Sequence, residues 1–272
     1  MIAHWREAEP GDYAVIGDPV DHSLSPRMHA AAYQADGLGL TYRAVRVPAG
    51  EVAEAVSHLA ARGYRGLNVT VPLKEEAFAF VQAQGWRLSE ADGQLGAVNT
   101  LLLPERAALN TDVLGFLRTL QAQGVAPGAS VLVLGAGGTA RALLVGLVRA
   151  GYRVAAWNRT PERLSGLIAE LHLPISALAQ PDPAGVEAVI NTTSASLSGD
   201  SVAVPWGSDS VLAYDVAYGR ALTPFLLAAQ AAGHRVCDGR AMLAEQGAMA
   251  YEAWLRRPAP RAAMLRALDE HI

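Results

Sequence analysis

The chain has 272 residues, enough for one large or two ordinary domains, and its 51% hydrophobic and 18% charged residues are typical of a globular protein. A formal net charge of -4 and a pI of about 6.0 argue against nucleic acid or an anionic membrane surface as the main partner. Cys237 is the only cysteine, so no internal disulfide can form, and no signal-peptide pattern opens the sequence. We therefore expect a cytoplasmic protein.

Strands and helices alternate in the first part of the chain. Predicted strands cover residues 13–16, 41–47, 66–71 and 96–103, and predicted helices cover 25–36, 51–62 and 74–84. Ser25 and Pro26 are expected to open the first helix, with the serine as its cap, and Gly63 is expected to end the second. This βα pattern predicts an α/β fold with a mainly parallel sheet.

The same alternation continues in the second part, after a crossing near residues 112–128. A predicted helix over 113–123 leads to Pro127 and Gly128, and predicted strands follow at 131–134, 152–157, 186–190, 211–216 and 234–237. Thr223 and Pro224 are expected to open a helix that ends at Gly233. Helices over 241–255 and 261–268 complete the prediction.

A glycine-rich turn follows the strand over 131–134 and precedes a helix-favouring run, which is the context of a dinucleotide-binding turn. In its G-x-G-x-x-A spacing, Gly135 permits the tight turn, Gly137 lets the backbone approach a pyrophosphate, and Ala140 allows close helix packing. Free N–H groups and the helix dipole then favour phosphate. A glycine-rich connection in another kind of α/β protein remains the alternative, so the next strand has to identify the cofactor.

The end of the strand over 152–157 indicates which dinucleotide is bound. Enzymes that bind NAD usually carry an acid about 20 residues after the glycines, where it holds the ribose 2′-hydroxyl. Here that place holds Asn158 and Arg159, and Arg163 lies one helical turn further on. Two guanidinium groups suit a 2′-phosphate, so we predict NADP; the alternative is a pair of solvated arginines at a helix start.

Polar clusters follow strands of the first part, and we expect them to converge because the carboxyl ends of parallel strands meet at one edge. Their hydroxyls, amides, single ammonium and single carboxylate suit a small polyhydroxylated ligand. Each has a structural alternative: Ser25 as a helix cap only, Thr70 and Asn99 as partners of turn backbone only. Lys74 has the alternative of a solvated lysine in a first helical turn. The clusters are Ser23 with Ser25; Asn68, Thr70 and Lys74; Asn99 with Thr100; and Asn110, Thr111 and Asp112.

The same residues stand in an order that resembles the shikimate dehydrogenase family. The stretch from Gly17 to His29 resembles the family's opening signature, and the stretch from Gly66 to Lys74 matches its G-x-N-V-T-x-P-x-K segment. Further motifs follow in the family's order: Asn99-Thr100, Asn110-Thr111-Asp112, Gly135 to Gly138, Asn158-Arg159-Thr160, Asn191 to Ser194, Tyr214 to Tyr218, Thr223-Pro224, and Asp238-Gly239 with Gln246. The resemblance covers the chain from Gly17 to about Trp254.

The resemblance implies a substrate-binding domain over 1–111, a Rossmann NADP-binding domain over 112–238, and C-terminal helices over 239–272 that pack on the first domain. It implies reversible reduction of 3-dehydroshikimate to shikimate, a step of aromatic amino-acid biosynthesis, with Lys74 and Asp112 as the catalytic dyad and with no metal. The other implied substrate ligands are Ser23, Ser25, Thr70, Asn99, Tyr218 and Gln246. The implied NADP site consists of Gly135, Ala136, Gly137, Gly138, Thr139, Asn158, Arg159, Thr160, Arg163, Val216 and Gly239.

Three places depart from the family pattern. Ser196 stands where glycine is common, Gly219-Arg220 replaces a common Asn-Pro, and Leu109 replaces a glycine before Asn110. These departures leave every catalytic group in place and concern the loop at the nicotinamide half of the NADP site.

Two alternatives to this function stay open. One is a relative that prefers quinate or uses NAD, and the other is a non-catalytic NADP-sensing module, against which the retained Lys74 and Asp112 argue. We expect a monomer or homodimer whose partner is a small-molecule substrate, with neither nucleic acid nor membrane as a partner.

Overall fold

The computed structural model of the chain describes residues 2–93, 95–193, 195, 199–219 and 221–269. These residues form two compact units. The first unit runs to Gly115 and resumes at Leu243, and the second unit spans Phe116–Met242. None of the described helices is long and apolar enough to cross a membrane.

The first unit contains a five-stranded sheet and the helices that cover it. Its strands are β1 (Tyr13–Gly17), β2 (Tyr42–Arg46), β3 (Gly66–Val69), β4 (Thr100–Leu102) and β5 (Ala107–Leu109). A 3-10 turn at Trp5–Glu7 precedes β1. The helices of this unit are α1 (Ser25–Ala35), α2 (Val52–Ala61), α3 (Lys74–Ala83), the short α4 (Glu90–Gly93) and α10 (Arg261–Asp269). Two further helices, α5 (Asp112–Ala122) and α9 (Gly239–Leu255), pass from one unit into the other.

The strand order in this sheet is β2-β1-β3-β4-β5. β1 pairs in parallel with β2 and β3, whereas β4 is antiparallel to both β3 and β5. Because β4 runs in reverse, its first residue lies at the same edge as the last residues of β1, β3 and β5. We call this edge, which includes the loops after β1, β3 and β5 and the loop before β4, the polar edge.

Both faces of the first sheet are buried, which explains why β1 is a continuous apolar run. Ala14 and Ile16 pack on one side with apolar residues of α2 and α3. Tyr13 and Val15 pack on the other side with residues of α1, α9 and α10. Successive residues of this one strand therefore contribute to two separate cores, one on each face of the sheet.

The second unit contains a six-stranded, entirely parallel sheet of β6 (Ser130–Leu134), β7 (Arg153–Trp157), β8 (Ile175–Ala177), β9 (Ala188–Asn191), β10 (Leu212–Asp215) and β11 (Arg235–Cys237). Its own helices are α6 (Gly138–Arg149), α7 (Pro161–Leu171) and α8 (Pro224–Ala231). The order β8-β7-β6-β9-β10-β11 is that of a doubly wound dinucleotide-binding fold. The order reverses between β6 and β9, so the loops after these two strands flank the expected ligand crevice.

The predicted α/β fold is confirmed, with differences in detail. The strand predicted over 96–103 is limited to Thr100–Leu102 and is antiparallel to its neighbours, so the first sheet is mixed. The prediction that Ser25 caps α1 is wrong: Leu24 holds the cap position, and Ser25 is the first helical residue. Its backbone N–H donates to Ser23 Oγ at 3.3 Å, so Ser23 serves the helix end in its place.

Gly66 is a position where the first unit depends on the absence of a side chain. A Cβ there would overlap the indole of Trp254, whose Nε1 donates to the Leu101 carbonyl at 3.0 Å. We expect Gly66→Ala to lower the free energy of unfolding by about 1–3 kcal/mol, measured by urea denaturation followed by circular dichroism. Gly39→Ala is the matched control because a Cβ there meets open space; equal stability of the two variants would contradict the packing argument.

Candidate active site

Lys74 and Asp112 form an ion pair at the polar edge. Lys74 begins α3 and Asp112 begins α5, and Lys74 Nζ donates to Asp112 Oδ2 at 2.7 Å. Their side chains are 32% and 19% exposed, so a ligand can reach the ammonium group from solvent. A lysine in a first helical turn is opposed by the helix dipole, whereas an aspartate there is favoured. The carboxylate therefore holds a cation at a position that helix electrostatics alone would not stabilise.

The choice of lysine at this site is chemically specific. Lys74 is the only lysine among the 22 lysine and arginine residues of the chain. An arginine guanidinium cannot give up its proton in a protein, whereas a lysine ammonium can. Arginine supplies the positive charge elsewhere in the chain. The single lysine therefore stands where its ammonium group, next to a carboxylate, can transfer a proton.

The backbone on both sides of Asp112 is fixed by amide side chains. Asn110 Oδ1 accepts from the Asp112 N–H at 3.0 Å, and Asn110 Nδ2 donates to the Ala97 carbonyl at 3.0 Å. Asn99 Oδ1 accepts from the Thr111 N–H at 2.8 Å, and Asn99 Nδ2 donates to Thr111 Oγ1 at 2.9 Å. Asn99, Asn110 and Thr111 are buried, so these bonds are shielded from water and hold the carboxylate in one position.

Gln246 reaches the same cluster from α9. Its Oε1 lies 3.4 Å from both Asn99 Nδ2 and Thr111 Oγ1, and its Nε2 donates to the Leu243 carbonyl at 3.1 Å. Gly115 permits this approach, because a Cβ there would lie 2.9 Å from the Gln246 backbone nitrogen. A glycine in α5 thus sets how near Gln246 comes to the polar edge.

Ser23, Ser25 and Thr70 complete the polar edge. Ser25 is 5% exposed and Ser23 is half-buried in the loop after β1. Thr70 follows β3, and its N–H donates to the Ile16 carbonyl at 2.9 Å. Seven of the eight residues expected to bind substrate therefore lie in the first unit, at or beside this edge. Tyr218 belongs to the second unit, where burial raises the pKa of its phenol.

Several buried residues at the polar edge are not among the substrate ligands that the family resemblance implies. Asn68 on β3 donates to Thr100 Oγ1 at 3.0 Å and to the Asn99 carbonyl at 3.2 Å, and it accepts from the Tyr42 hydroxyl at 2.7 Å. Asn68, Thr100, Asn110 and Thr111 belong to the polar clusters that the sequence predicts to converge at one edge. Tyr42 lies outside every motif.

The glycine turn of the second unit fits a phosphate group. Gly135 follows β6 with a φ of 118°, and a Cβ on it would lie 2.5 Å from Thr192 Oγ1 after β9. Gly137 precedes α6 without a side-chain cap, and positions for a Cβ on Gly137 and Gly138 meet open space. The first N–H groups of α6, including that of Thr139, are thus available to an anion at the positive end of the helix dipole. The buried Ala140 lets α6 lie close to the sheet, as expected for this turn.

The residues after β7 fit the 2′-phosphate of NADP. Arg159 and Arg163 are exposed, and neither is ion-paired with a carboxylate in the part of the chain that the structure describes. Arg141, by contrast, is bound to Glu170 at 2.8 Å. Asn158 stabilises the turn by donating from Nδ2 to the Thr160 carbonyl at 2.9 Å. Two exposed guanidinium groups, without a carboxylate partner among the described residues, are therefore available to an anion after β7.

A buried carboxylate organises the loops after β9 and β10. Asp215 is inaccessible to solvent and accepts from Asn191 Nδ2 at 3.1 Å, Thr223 Oγ1 at 2.7 Å and the Ala217 N–H at 3.0 Å. The neighbouring Val216 carbonyl would overlap a Cβ on Gly239, so glycine is required where α9 begins. Ser196 and Arg220, two of the departures from the family pattern, lie outside the described residues.

Comparison with known proteins identifies relatives along the whole chain. A profile of the shikimate dehydrogenase substrate binding domain matches residues 15–101. The NADP(+)-dependent shikimate dehydrogenase of Moorella thermoacetica is 40% identical over 97% of this chain and 94% of its own. Shikimate 5-dehydrogenase of Thermus thermophilus, solved in complex with NADP(H) and shikimate, has a TM-score of 0.83 at 35% identity and covers 100% of both chains. The 5-ketofructose reductase of a Gluconobacter species has a TM-score of 0.82 at 29% identity, covering 96% of this chain and 98% of its own.

A buried histidine packs against the ring of Tyr42. His29 is inaccessible to solvent and stacks on Tyr42 with ring centroids 4.2 Å apart, and neither of its ring nitrogens has a hydrogen-bond partner among the described residues. Burial lowers the pKa of His29 from 6.5 to about 3. The folded chain therefore holds this imidazole neutral at a pH where the unfolded chain protonates it.

This difference predicts an acid-dependent loss of stability. Below about pH 6.5 the unfolded state binds a proton that the folded state does not bind until about pH 3, so stability falls as the pH drops through this window. His29→Phe keeps a stacked ring and removes the titration. The difference in unfolding free energy between wild type and variant should change by about 1.4 kcal/mol per pH unit between about pH 4 and 6, measured by urea denaturation. Parallel pH curves for the two proteins would contradict this assignment.

Proposed function

This chain belongs to the shikimate dehydrogenase family, and on that premise we propose that it catalyses the reversible, NADP-dependent reduction of 3-dehydroshikimate to shikimate. The observation that carries the proposal is the Lys74–Asp112 pair, held at 2.7 Å among hydroxyl and amide groups at the polar edge. The pair offers one transferable proton, and its surroundings offer hydrogen bonds to a hydroxylated ring.

The substrate binds to the first unit in this proposal. Its proposed ligands there are Ser23, Ser25, Thr70, Asn99, Gln246 and the dyad. The family resemblance also implies Tyr218, which belongs to the second unit, as a substrate ligand. Residues 1–111 then form the substrate-binding domain and 239–272 return to it, while 112–238 form the NADP-binding domain. The hydrogen bond from Trp254 Nε1 to the Leu101 carbonyl, at 3.0 Å, supports the return of the C-terminal helices, because Leu101 belongs to residues 1–111.

Lys74 moves the proton of the reaction. The nicotinamide of bound NADPH supplies the hydride that reduces the ring carbonyl. The Lys74 ammonium donates a proton to the oxygen as negative charge develops there, and in the reverse direction the amine accepts that proton. Asp112 orients Nζ toward the substrate and stabilises its positive charge before transfer. The amides of Asn99 and Asn110 keep the carboxylate in place through both directions of the reaction.

NADP is held by the second unit. The first N–H groups of α6 would hold the pyrophosphate at the turn from Gly135 to Thr139, which includes Ala136. Arg159 and Arg163 would hold the 2′-phosphate, beside Asn158 and Thr160. Val216 and Gly239 line the nicotinamide end, where the bonds of Asp215 fix the loop after β10.

The choice of ring substrate requires a direct test. A 5-ketofructose reductase shares the fold with a TM-score of 0.82, so the architecture alone does not select the ketone. Assays with shikimate and quinate, each with NADP and with NAD, should give turnover with shikimate and NADP. Turnover with quinate alone, or none with either ring, would overturn the proposal. We further propose that the enzyme acts in the cytoplasm, because a chain with Cys237 as its single cysteine suits a reducing compartment. We also propose that it is a monomer or a homodimer.

Lys74→Ala is expected to reduce kcat by about 10²- to 10⁴-fold while leaving the shikimate dissociation constant nearly unchanged. Lys74→Arg is the informative companion because it keeps a positive charge beside Asp112 but cannot release a proton. Steady-state kinetics and calorimetric titration should show both variants inactive and both able to bind shikimate. An active Lys74→Arg enzyme would show that Lys74 contributes only its positive charge and does not transfer the proton.

Arg159→Ala is expected to weaken NADP binding by about ten- to a hundredfold, because a hydrogen bond to a charged group contributes roughly 1.5–3 kcal/mol. NAD binding should hardly change, since NAD has no 2′-phosphate. Arg149→Ala, at the far end of α6, is the control for loss of an exposed arginine. Equal losses for both dinucleotides on titration would assign Arg159 a structural function in its loop instead.

A further inference from the structure

Tyr42 lies beneath the polar edge and outside every motif quoted above. It stands on β2, which is separated from β3 by β1, and its phenol reaches across β1 to donate to Asn68 Oδ1 at 2.7 Å. The same hydroxyl is hydrogen-bonded to the side chain of Ser25, at the start of α1. One oxygen atom therefore joins two separate segments of the edge.

The bond to Asn68 extends further into the site. Asn68 Nδ2 donates to Thr100 Oγ1 at 3.0 Å, and Thr100 Oγ1 donates to Asn99 Oδ1 at 3.0 Å. A chain of buried hydrogen bonds thus runs from Ser25 through Tyr42 and Asn68 to Asn99. Its two ends are residues that bind the substrate in the proposed function.

The surroundings of Tyr42 hold its ring in one position. His29 stacks on it with an interplanar angle of 4°, and Trp254 lies with its ring centroid 6.3 Å away. Burial raises the pKa of the phenol well above its ordinary value, so it remains a proton donor across the range of enzyme assays.

We infer that Tyr42 is a positioning residue that sets the affinity for the substrate by holding Ser25 and Asn68 in place. This inference rests on the proposed function, because Ser25 and Asn99 have to be substrate ligands. It assigns Tyr42 to ground-state binding and leaves proton transfer to Lys74 and Asp112. Loss of the phenol oxygen should therefore raise KM for shikimate while kcat and KM for NADP change little.

The test compares two tyrosines of the same aromatic cluster. Tyr42→Phe removes a hydroxyl with two partners, whereas Tyr33→Phe removes a buried hydroxyl that has no partner among the described residues. Tyr42→Phe should raise KM for shikimate about three- to tenfold, as the loss of one or two neutral hydrogen bonds implies. Tyr33→Phe should leave KM within about twofold of wild type.

A double-mutant cycle separates positioning from general destabilisation. In a Ser25→Ala background, Tyr42→Phe should have a smaller effect on KM, because one of the groups through which it acts is gone. Full additivity of the two substitutions would overturn the connection through Ser25. If Tyr42→Phe does not fold, the isosteric Thr100→Val interrupts the same chain two bonds further on and should raise KM in the same way.

The possible outcomes distinguish this inference from the function on which it rests. Wild-type turnover of shikimate with an unchanged KM in Tyr42→Phe overturns the inference alone. A fall in kcat with an unchanged KM also overturns it, by placing Tyr42 in the chemical step. Absence of shikimate turnover in the wild type overturns the proposed function itself.

Discussion

The hydrogen bonds of the Asn99 side chain are the interaction on which the geometry of the first unit's site depends. One amide accepts from the Thr111 backbone, donates to the Thr111 hydroxyl, accepts from Thr100 and lies within reach of Gln246. An amide is suited to this position because it is both donor and acceptor and does not titrate. The residue that follows Thr111 is Asp112, so the orientation of the carboxylate beside Lys74 is set by an uncharged group that solvent does not reach.

In the second unit, the charged side chain of Asp215 connects loop and strand ends in the way that the Asn99 amide does in the first unit. Asp215 accepts three hydrogen bonds from a neighbouring strand end, a helix cap and its own loop. A fully buried carboxylate is costly unless its oxygens are satisfied, and here at least three donors satisfy it. These bonds connect the ends of β9 and β10 to the first residue before α8, next to the place where glycine is required at the start of α9. Each unit thus fixes its functional loops with a buried polar group before any ligand binds.

The strands and helices that are marked by local sequence patterns were predicted well. Long apolar runs such as β1 and β6 and the caps and glycines that bound α2 and α8 are found where expected. The motifs located the dyad and the glycine turn. The direction of β4 could not be read because a three-residue strand carries no periodicity, and only its pairing decides how it runs.

Two further details of the first unit do not follow from local sequence patterns. Ser25 is a residue type favoured at helix caps, yet it is the first helical residue, and Ser23 Oγ accepts from its backbone N–H. Tyr42 and Asn68 are 26 residues apart and on strands that do not pair with each other. Their contact follows from sheet order, which no local pattern encodes.

The use of arginine for every basic residue except Lys74 has a practical consequence for chemical labelling. Reagents that acylate or reductively alkylate amines find one ε-amine in the chain besides the terminal α-amine, and that ε-amine is 32% exposed beside Asp112. Coupling through amines, whether to a sensor surface or to a fluorophore, therefore modifies the proposed proton donor itself unless it is confined to the α-amine. Reductive methylation with an isotope-labelled methyl group would likewise place its only side-chain signal on Lys74, beside the signal of the α-amine.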